Sequence, residues 1–201
     1  GFLKREFPDY TVSVLTNGSL LTDPGVRKEL APVDRVIPTL TSVYQKTFER
    51  IHNPHPSLRI DAIIEGMVQF RRMFTGDLWL EVFIVPWLNT TPGELGGLCG
   101  AIDRINPSRV QLNTVDRPPA EAWVKAASLP DLEKISRALG RPGIEIVGRN
   151  RSTPPMTCGK PGTADRIRAT LGRRPSTVED LVQTTGLSGG EVVKILGALE
   201  G

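Results

Sequence analysis

The chain has 201 residues, and its 39% apolar and 23% charged residues are proportions of a globular protein, which excludes wholesale disorder. No apolar run approaches the roughly 20 residues that cross a bilayer, and no signal segment opens the chain, so we expect a cytoplasmic protein. Cys99 and Cys158 allow at most one disulfide, and reduced thiols are the simpler interpretation. The net charge is +3, and the whole excess of Lys and Arg lies after residue 148.

Strand-like and helix-like segments alternate along residues 1–147. Apolar, β-branched runs predict strands at 10–16, 35–40, 78–85, 109–114 and 144–147. Helical periodicity and capping residues predict helices at 42–51, 59–74, 91–104 and 128–139, the first of them starting at Ser42. Residues 1–7 read as the last turns of a further helix, which indicates that sequence is missing upstream.

This alternation predicts an α/β domain of βα repeats around a parallel sheet. Five strands are too few for an eight-stranded barrel, so we expect a partial parallel (βα) barrel over 1–147, backed by helices on one side. The strand at 10–16 forms an open edge, and bare edges invite pairing. We therefore expect another chain, by self-association, or the C-terminal tail to cover that edge.

A second domain is predicted after a Pro- and Gly-rich linker at 148–162. Three short helices, at 164–171, 177–185 and 189–199, indicate a small all-α domain of helix-turn-helix or winged-helix type over 163–201. Capping boxes are predicted at 176–179 and 188–191. Such a domain is expected to bind nucleic acid or protein, and Arg173, Arg174 and Lys194 are the candidate phosphate contacts, although residues 188–191 contain no Arg, Lys, Asn or Gln for base edges.

Polar side chains recur where the predicted strands end, which is where parallel α/β folds bind ligands. Gln111 and Asn113 alternate with an apolar residue, so both point to one face and need polar partners there. Asn17-Gly18 is by itself better explained as a turn. His52 and His55 lack a third ligand, so a proline-rich loop explains them better than a metal site.

The segments LTNGSLL (15–21), HNPHP (52–56), LWLEVFIVPWLN (78–89) and RVQLNTVDRP (109–118) together resemble the radical S-adenosylmethionine enzymes. The similar branch is the iron–sulfur oxidoreductases of wybutosine synthesis. The resemblance implies the third to sixth strands of a six-stranded partial barrel. It also implies that the parent protein cleaves S-adenosylmethionine to a 5′-deoxyadenosyl radical, with a 4Fe-4S cluster.

The resemblance further implies which residues contact the cofactor. Thr16 and Asn17 match residues that line its methionine end, and Thr39 matches a hydroxyl that meets its ribose or carboxylate. On the next strand, which also carries Glu81, Val85 is the likelier adenine contact. Gln111 and Asn113 are expected inside the barrel, where substrate and adenosine meet.

Two departures from the family pattern are visible. No CxxxCxxC cluster motif occurs, so this chain by itself is expected to be inactive and to bind neither cluster nor other metal. The usual Ser-Leu-Asp strand end is here Thr39-Leu40-Thr41. Catalytic residues and substrate stay unassigned: a tRNA guanine derivative, a peptide and a small metabolite are the open alternatives, and no membrane partner is expected.

Overall fold

A computed structural model describes residues 2–116, 119, 121, 123–147 and 163–200. Contacts divide the chain into two compact units. One comprises Gly1–Val115 with Trp123–Gly148, and the other comprises Asp116–Ala122 with Arg149–Gly201. The predicted linker at 148–162 lies outside the described residues.

The first unit contains one five-stranded sheet. Its strands are β1 (Ser13–Thr16), β2 (Arg35–Leu40), β3 (Asp77–Ile84), β4 (Arg109–Thr114) and β5 (Ile144–Val147). All neighbouring pairs are parallel, in the order β1-β2-β3-β4-β5. The predicted parallel α/β fold is therefore confirmed, with β1 at an edge, although β1 begins three residues later than expected.

Helices connect these strands. They are α1 (Phe2–Glu6), α2 (Pro24–Leu30), α3 (Gln45–His52), α4 (Ile60–Met73), α5 (Pro92–Ile105) and α6 (Leu129–Leu139), with a 3₁₀ turn at Ser19–Thr22. The sequence analysis missed α2, although Asp23 caps it by accepting from Gly25 N and Pro24 occupies its first position. Ser42 does not begin α3, since the residue before that helix is Tyr44.

The sheet has one covered face and one half-exposed face. Even-numbered residues of β2 to β4, such as Val36, Leu80 and Leu112, are fully buried with the helices in the main core, whereas odd-numbered residues are less buried. We call the face of odd-numbered residues the open face.

The second unit contains three helices in its described part. They are α7 (Thr163–Leu171), α8 (Val178–Thr185) and α9 (Gly189–Glu200), as predicted. Ile167, Leu181 and Val192 form its small core. The first capping box joins Thr177 and Asp180, one residue later than expected, while Ser188 and Glu191 bond reciprocally as predicted. Among the helices of both units that the structure describes, none is both long and apolar enough to cross a membrane.

Candidate functional site

A carboxylate on β3 organises the open face of the sheet near the strands' carboxyl ends. Thr39 Oγ1 donates to Glu81 Oε2 at 2.5 Å, and Asn113 Nδ2 donates to Glu81 Oε1 at 2.7 Å. All three side chains are half-buried. A carboxylate has about four acceptor positions, so these two bonds fix its orientation and leave acceptor capacity for a ligand's hydroxyl or ammonium group.

A second set of polar contacts lies beside this one, toward the strands' amino ends. Gln111 Nε2 donates to Glu145 Oε2 at 3.1 Å, and Arg109 pairs with the same carboxylate at 3.3 Å. The ring of Trp79 lies between two guanidinium groups, at 3.7 Å from that of Arg35 and 4.5 Å from that of Arg109. Arg35 also pairs with Asp77 at 3.5 Å, so the open face has paired charges and an aromatic ring toward the amino ends and the Glu81 cluster toward the carboxyl ends.

Strand register explains why these residues meet. Cα partners such as Thr39 and Glu81, or Glu81 and Gln111, project to the same face of a parallel sheet. The prediction that Gln111 and Asn113 share a face is confirmed. The structure thus brings three of the predicted site residues together, namely Thr39, Gln111 and Asn113.

The other predicted residues lie elsewhere. Thr16 pairs in register with Pro38, so its side chain projects to the helix-covered face, where it accepts from Gly18 N at 3.1 Å. Thr16 and Asn113, both expected to line the cofactor site, therefore project to opposite faces of the sheet. Asn17 Oδ1 accepts from the Ser19 backbone N–H in a local turn, as its turn interpretation predicts. Val85 follows β3 and is buried at 4% exposure.

A buried amide joins the carboxyl ends of β2 and β3. Asn89, with 0% exposure, accepts from Val85 N at 2.8 Å and donates to the carbonyls of Thr41 and Phe83, both at 2.7 Å. The loop that follows β2 is held by a second buried contact, from Ser42 Oγ to Glu94 Oε2 at 2.7 Å. These bonds fix the backbone of the loops that follow β2 and β3, and these loops form the rim of the open face.

A histidine also contacts this rim. His52 Nε2 lies 3.0 Å from Thr41 Oγ1 and its ring packs against Phe48. Although the outer part of the residue is exposed, burial of the inner edge lowers the pKa of His52 below the ordinary value of 6.5. The neutral ring is therefore favoured in the folded protein.

Sequence reasoning undervalued Glu81. It was placed on the right strand, but Val85 was preferred because apolar surface packs well against a purine. The available signal was a lone acidic residue within the apolar run LWLEVFIV, since a half-buried carboxylate needs hydrogen-bond donors. Glu145 gave the same kind of signal, a lone acidic residue in the apolar run IEIV, and its partners lie on β4.

The donor set of this chain does not fit an iron–sulfur cluster, which thiolates hold. Cys99 lies on α5 with its Sγ 3.7 Å from the Leu139 carbonyl, and Cys158 lies outside the described residues. Within the described ranges, no group of three or more His, Cys, Asp or Glu side chains is arranged to hold a metal ion. The open face suits a polar organic ligand instead.

Solved structures share this fold at low sequence identity. A domain of pyruvate-formate lyase-activating enzyme from Bacteroides vulgatus aligns with a TM-score of 0.57 and 12% identity, covering 73% of this chain and 88% of that domain. A radical SAM methyltransferase from Sphaerobacter thermophilus gives 0.51 and 15%, covering 67% and 39%. SuiB from Streptococcus suis, bound to S-adenosylmethionine, gives 0.51 and 13%, covering 69% and 33%. The fold is that of radical SAM enzymes.

Curated relatives are longer proteins. The chain is 33% identical to a protein named GTPase Obg of Brachyspira hyodysenteriae, over 87% of this chain and 26% of that protein. It is also 33% identical to a UPF0026 protein of Methanocaldococcus jannaschii, over 73% and 44%. No protein-family model matches. This sequence has no Gly-x-x-x-x-Gly-Lys-Ser/Thr phosphate loop, and it spans about a quarter to a half of these relatives.

Proposed function

We propose that this chain is the C-terminal portion of a radical S-adenosylmethionine enzyme, an iron–sulfur oxidoreductase, and that its open face holds the nucleoside part of the cofactor. The observation that carries this proposal is the carboxylate of Glu81, oriented by Thr39 and Asn113 on the half-exposed face of a sheet with the radical SAM fold. When bound in the parent protein, S-adenosylmethionine supplies a 5′-deoxyadenosyl radical.

The residues of this chain bind and orient the ligand. Glu81 accepts from ribose hydroxyls or from the ammonium group, because its remaining acceptor positions face the open side. Thr39 keeps a free acceptor on its hydroxyl, and Gln111 lines the same surface. The cluster ligands are proposed to come from upstream sequence, since this sequence has only two cysteines and no CxxxCxxC motif. A tRNA base, a peptide and a metabolite remain candidate substrates.

The test uses the parent protein under anaerobic, reducing conditions. It should bind four irons and release 5′-deoxyadenosine from S-adenosylmethionine, whereas this chain alone should show neither iron nor turnover. Asn113→Leu in the parent should retain the iron but weaken cofactor binding by roughly 5- to 150-fold, as expected for about 1–3 kcal/mol from a lost buried hydrogen bond.

The control is Gln69→Leu, which removes an exposed amide from the outer side of α4. That variant should bind S-adenosylmethionine like the wild type. Unchanged affinity in Asn113→Leu would show that Asn113 is purely structural. Stoichiometric iron in this chain alone would contradict the proposed upstream origin of the cluster ligands.

A second function, a binding module in the helical unit, is favoured by a separate observation. Three arginines line one groove of that unit.

A further inference from the structure

The helical unit contains a groove of about 600 Å³. One side is formed by α7 and the turn that follows it, and the other side by the end of α8. Its described lining combines three cations, one carboxylate and small side chains: Arg166, Arg173, Arg174, Asp165, Ala169, Thr170 and Thr184. Lys194, the third predicted phosphate contact, is not among the lining residues. The third cation of this surface is therefore Arg166 and not Lys194.

The groove has an excess of positive charge, because its described lining contains three arginines and one carboxylate, Asp165. Arg173 Nε donates to the Ala169 carbonyl at 3.0 Å, and Arg166 Nη2 lies 3.5 Å from the Thr184 carbonyl. These carbonyls orient the guanidinium groups without removing their charge. Asp165 itself pairs with Arg168, which is not a lining residue, at 3.0 Å.

Charge is also segregated along the unit. Residues 163–176 contain four Arg and one Asp, whereas residues 177–200 contain one Lys and four acidic residues. The positive potential is thus confined to α7 and the turn after it, although the two segments together have no net charge. A surface of this kind attracts an anion and orients it along one helix.

The number of cations favours an extended anion over a single phosphate group. Arg166 lies within α7, whereas Arg173 and Arg174 lie in the turn after its last residue, Leu171, so the groove offers three guanidinium groups from two neighbouring segments. Arginine presents a planar fork that matches phosphate oxygens. Among the lining residues that the structure describes there is no large apolar side chain to act as the anchor typical of protein interfaces. Charge therefore dominates, as in nucleic-acid backbone binding.

We propose that the helical unit binds the phosphodiester backbone of a nucleic acid in this groove, without reading its sequence. The amino end of α9, where a helix-turn-helix protein reads bases, begins with Gly189 and Gly190, which have no side chain for a base edge. Glu191 follows them, and its carboxylate accepts from the backbone N–H and the hydroxyl of Ser188. The binding mode thus differs from groove insertion by a recognition helix. This inference is independent of the radical SAM proposal.

Fluorescence anisotropy of the full chain with labelled 12-nucleotide oligouridylate and oligothymidylate tests the proposal. Both probes should bind, and log K should fall with log salt at a slope near −2, as expected for about three single-strand phosphates. The variant R166Q/R173Q/R174Q should bind at least about tenfold more weakly at 50 mM salt, with a slope near zero. The matched control is Arg168→Gln, which alters an exposed arginine of the same helix outside the groove.

The proposal would be overturned if neither probe binds at low salt, or if Arg168→Gln loses as much affinity as the triple Gln variant. It would also be overturned if the wild type prefers one base sequence, or if polyglutamate binds as tightly as the oligonucleotides. The last result would assign the groove to an acidic protein partner. Circular dichroism checks that the triple variant folds. If it does not, R166K/R173K/R174K keeps the charge and should retain the salt slope, and a folded Lys variant without binding would equally contradict the proposal.

Discussion

At the scale of single residues, the amide of Asn89 holds the loop that borders the candidate site. It satisfies one N–H and two carbonyls at the carboxyl ends of β2 and β3, and it has no access to solvent. Apolar positions in this unit are specified by periodicity, but a buried amide is specified by the backbone groups that would otherwise lack partners. Asn89 thus fixes the loop that forms the rim of the open face.

Asn89→Ala should lower the free energy of unfolding by about 2–4 kcal/mol, because each unsatisfied buried group costs about 1–3 kcal/mol. Urea denaturation followed by circular dichroism measures this change. Gln69→Ala, which truncates an exposed amide, should change stability by less than about 0.5 kcal/mol. A loss below about 1 kcal/mol for Asn89→Ala would show that the three backbone groups find other partners.

Residue-level prediction from sequence succeeded where a local rule applied. The alternation of Gln111 and Asn113 placed both on one face correctly, since the side-chain period of a strand is two. The hydrogen bond from Asn113 to Glu81 joins residues on two different strands that are 32 positions apart in the sequence. That contact depends on strand register, which no local pattern specifies. Thr16 was misplaced for the same reason, because the face to which its strand presents it depends on pairing with β2.

At the scale of elements, α3 is attached to the end of β2 through a side chain. His52, the last residue of α3, contacts Thr41 just after that strand. The sequence predicted the helix but began it at Ser42, which instead bonds to Glu94 on α5. A capping residue and a residue with a long-range partner look alike in sequence, because both are small hydroxyl side chains beside a helix. Long-range bonding decided between the two roles.

The lowered pKa of His52 predicts a pH dependence of stability. Between its folded pKa and the unfolded value of 6.5, the unfolded chain binds more protons, so acidification favours unfolding. The free energy of unfolding should fall as pH decreases through 6.5 toward the folded pKa and then level off. The effect should be small, because solvent reaches part of the ring. His52→Gln should remove it.

Urea midpoints at pH 7, 6 and 5 measure this dependence. His55→Gln is the matched control, because the only other histidine is exposed and bonds locally to Ser57. That control should follow the wild type at each pH. If acidification stabilises the wild type relative to His52→Gln, the inner edge of the ring accepts a proton readily in the folded state and the assignment is wrong.

At the scale of the whole molecule, the described chain has two separate apolar cores. The larger one fills the space between the sheet and its helices, and the smaller one consists of Ile167, Leu181 and Val192 with their neighbours. The sequence predicted the helices that carry these residues, because helical spacing is clear in each segment. It also placed the excess positive charge after residue 148, but the gathering of three arginines into one groove depends on how α7 packs against α8.

The small core makes the helical unit sensitive to a single truncation. A unit this short buries little apolar surface, so its stability is a few kcal/mol. Leu181 is 1% exposed, and replacing a buried leucine with alanine costs about 2–5 kcal/mol. Leu181→Ala should therefore unfold the helical unit at 25 °C while the sheet unit, which has its own core, stays folded.

Hydrogen exchange with mass spectrometry distinguishes the two units in one sample. In Leu181→Ala, peptides from 163–200 should lose protection and peptides from β3 and β4 should keep it, while oligouridylate binding by the chain is lost. Leu171→Ala is the control, since that side chain is 38% exposed on α7 and should leave both properties nearly unchanged. Loss of protection in β3 as well would show that the units fold as one cooperative structure. Retained oligouridylate binding by a Leu181→Ala chain whose helices exchange freely would place the nucleic-acid contacts outside the helical unit.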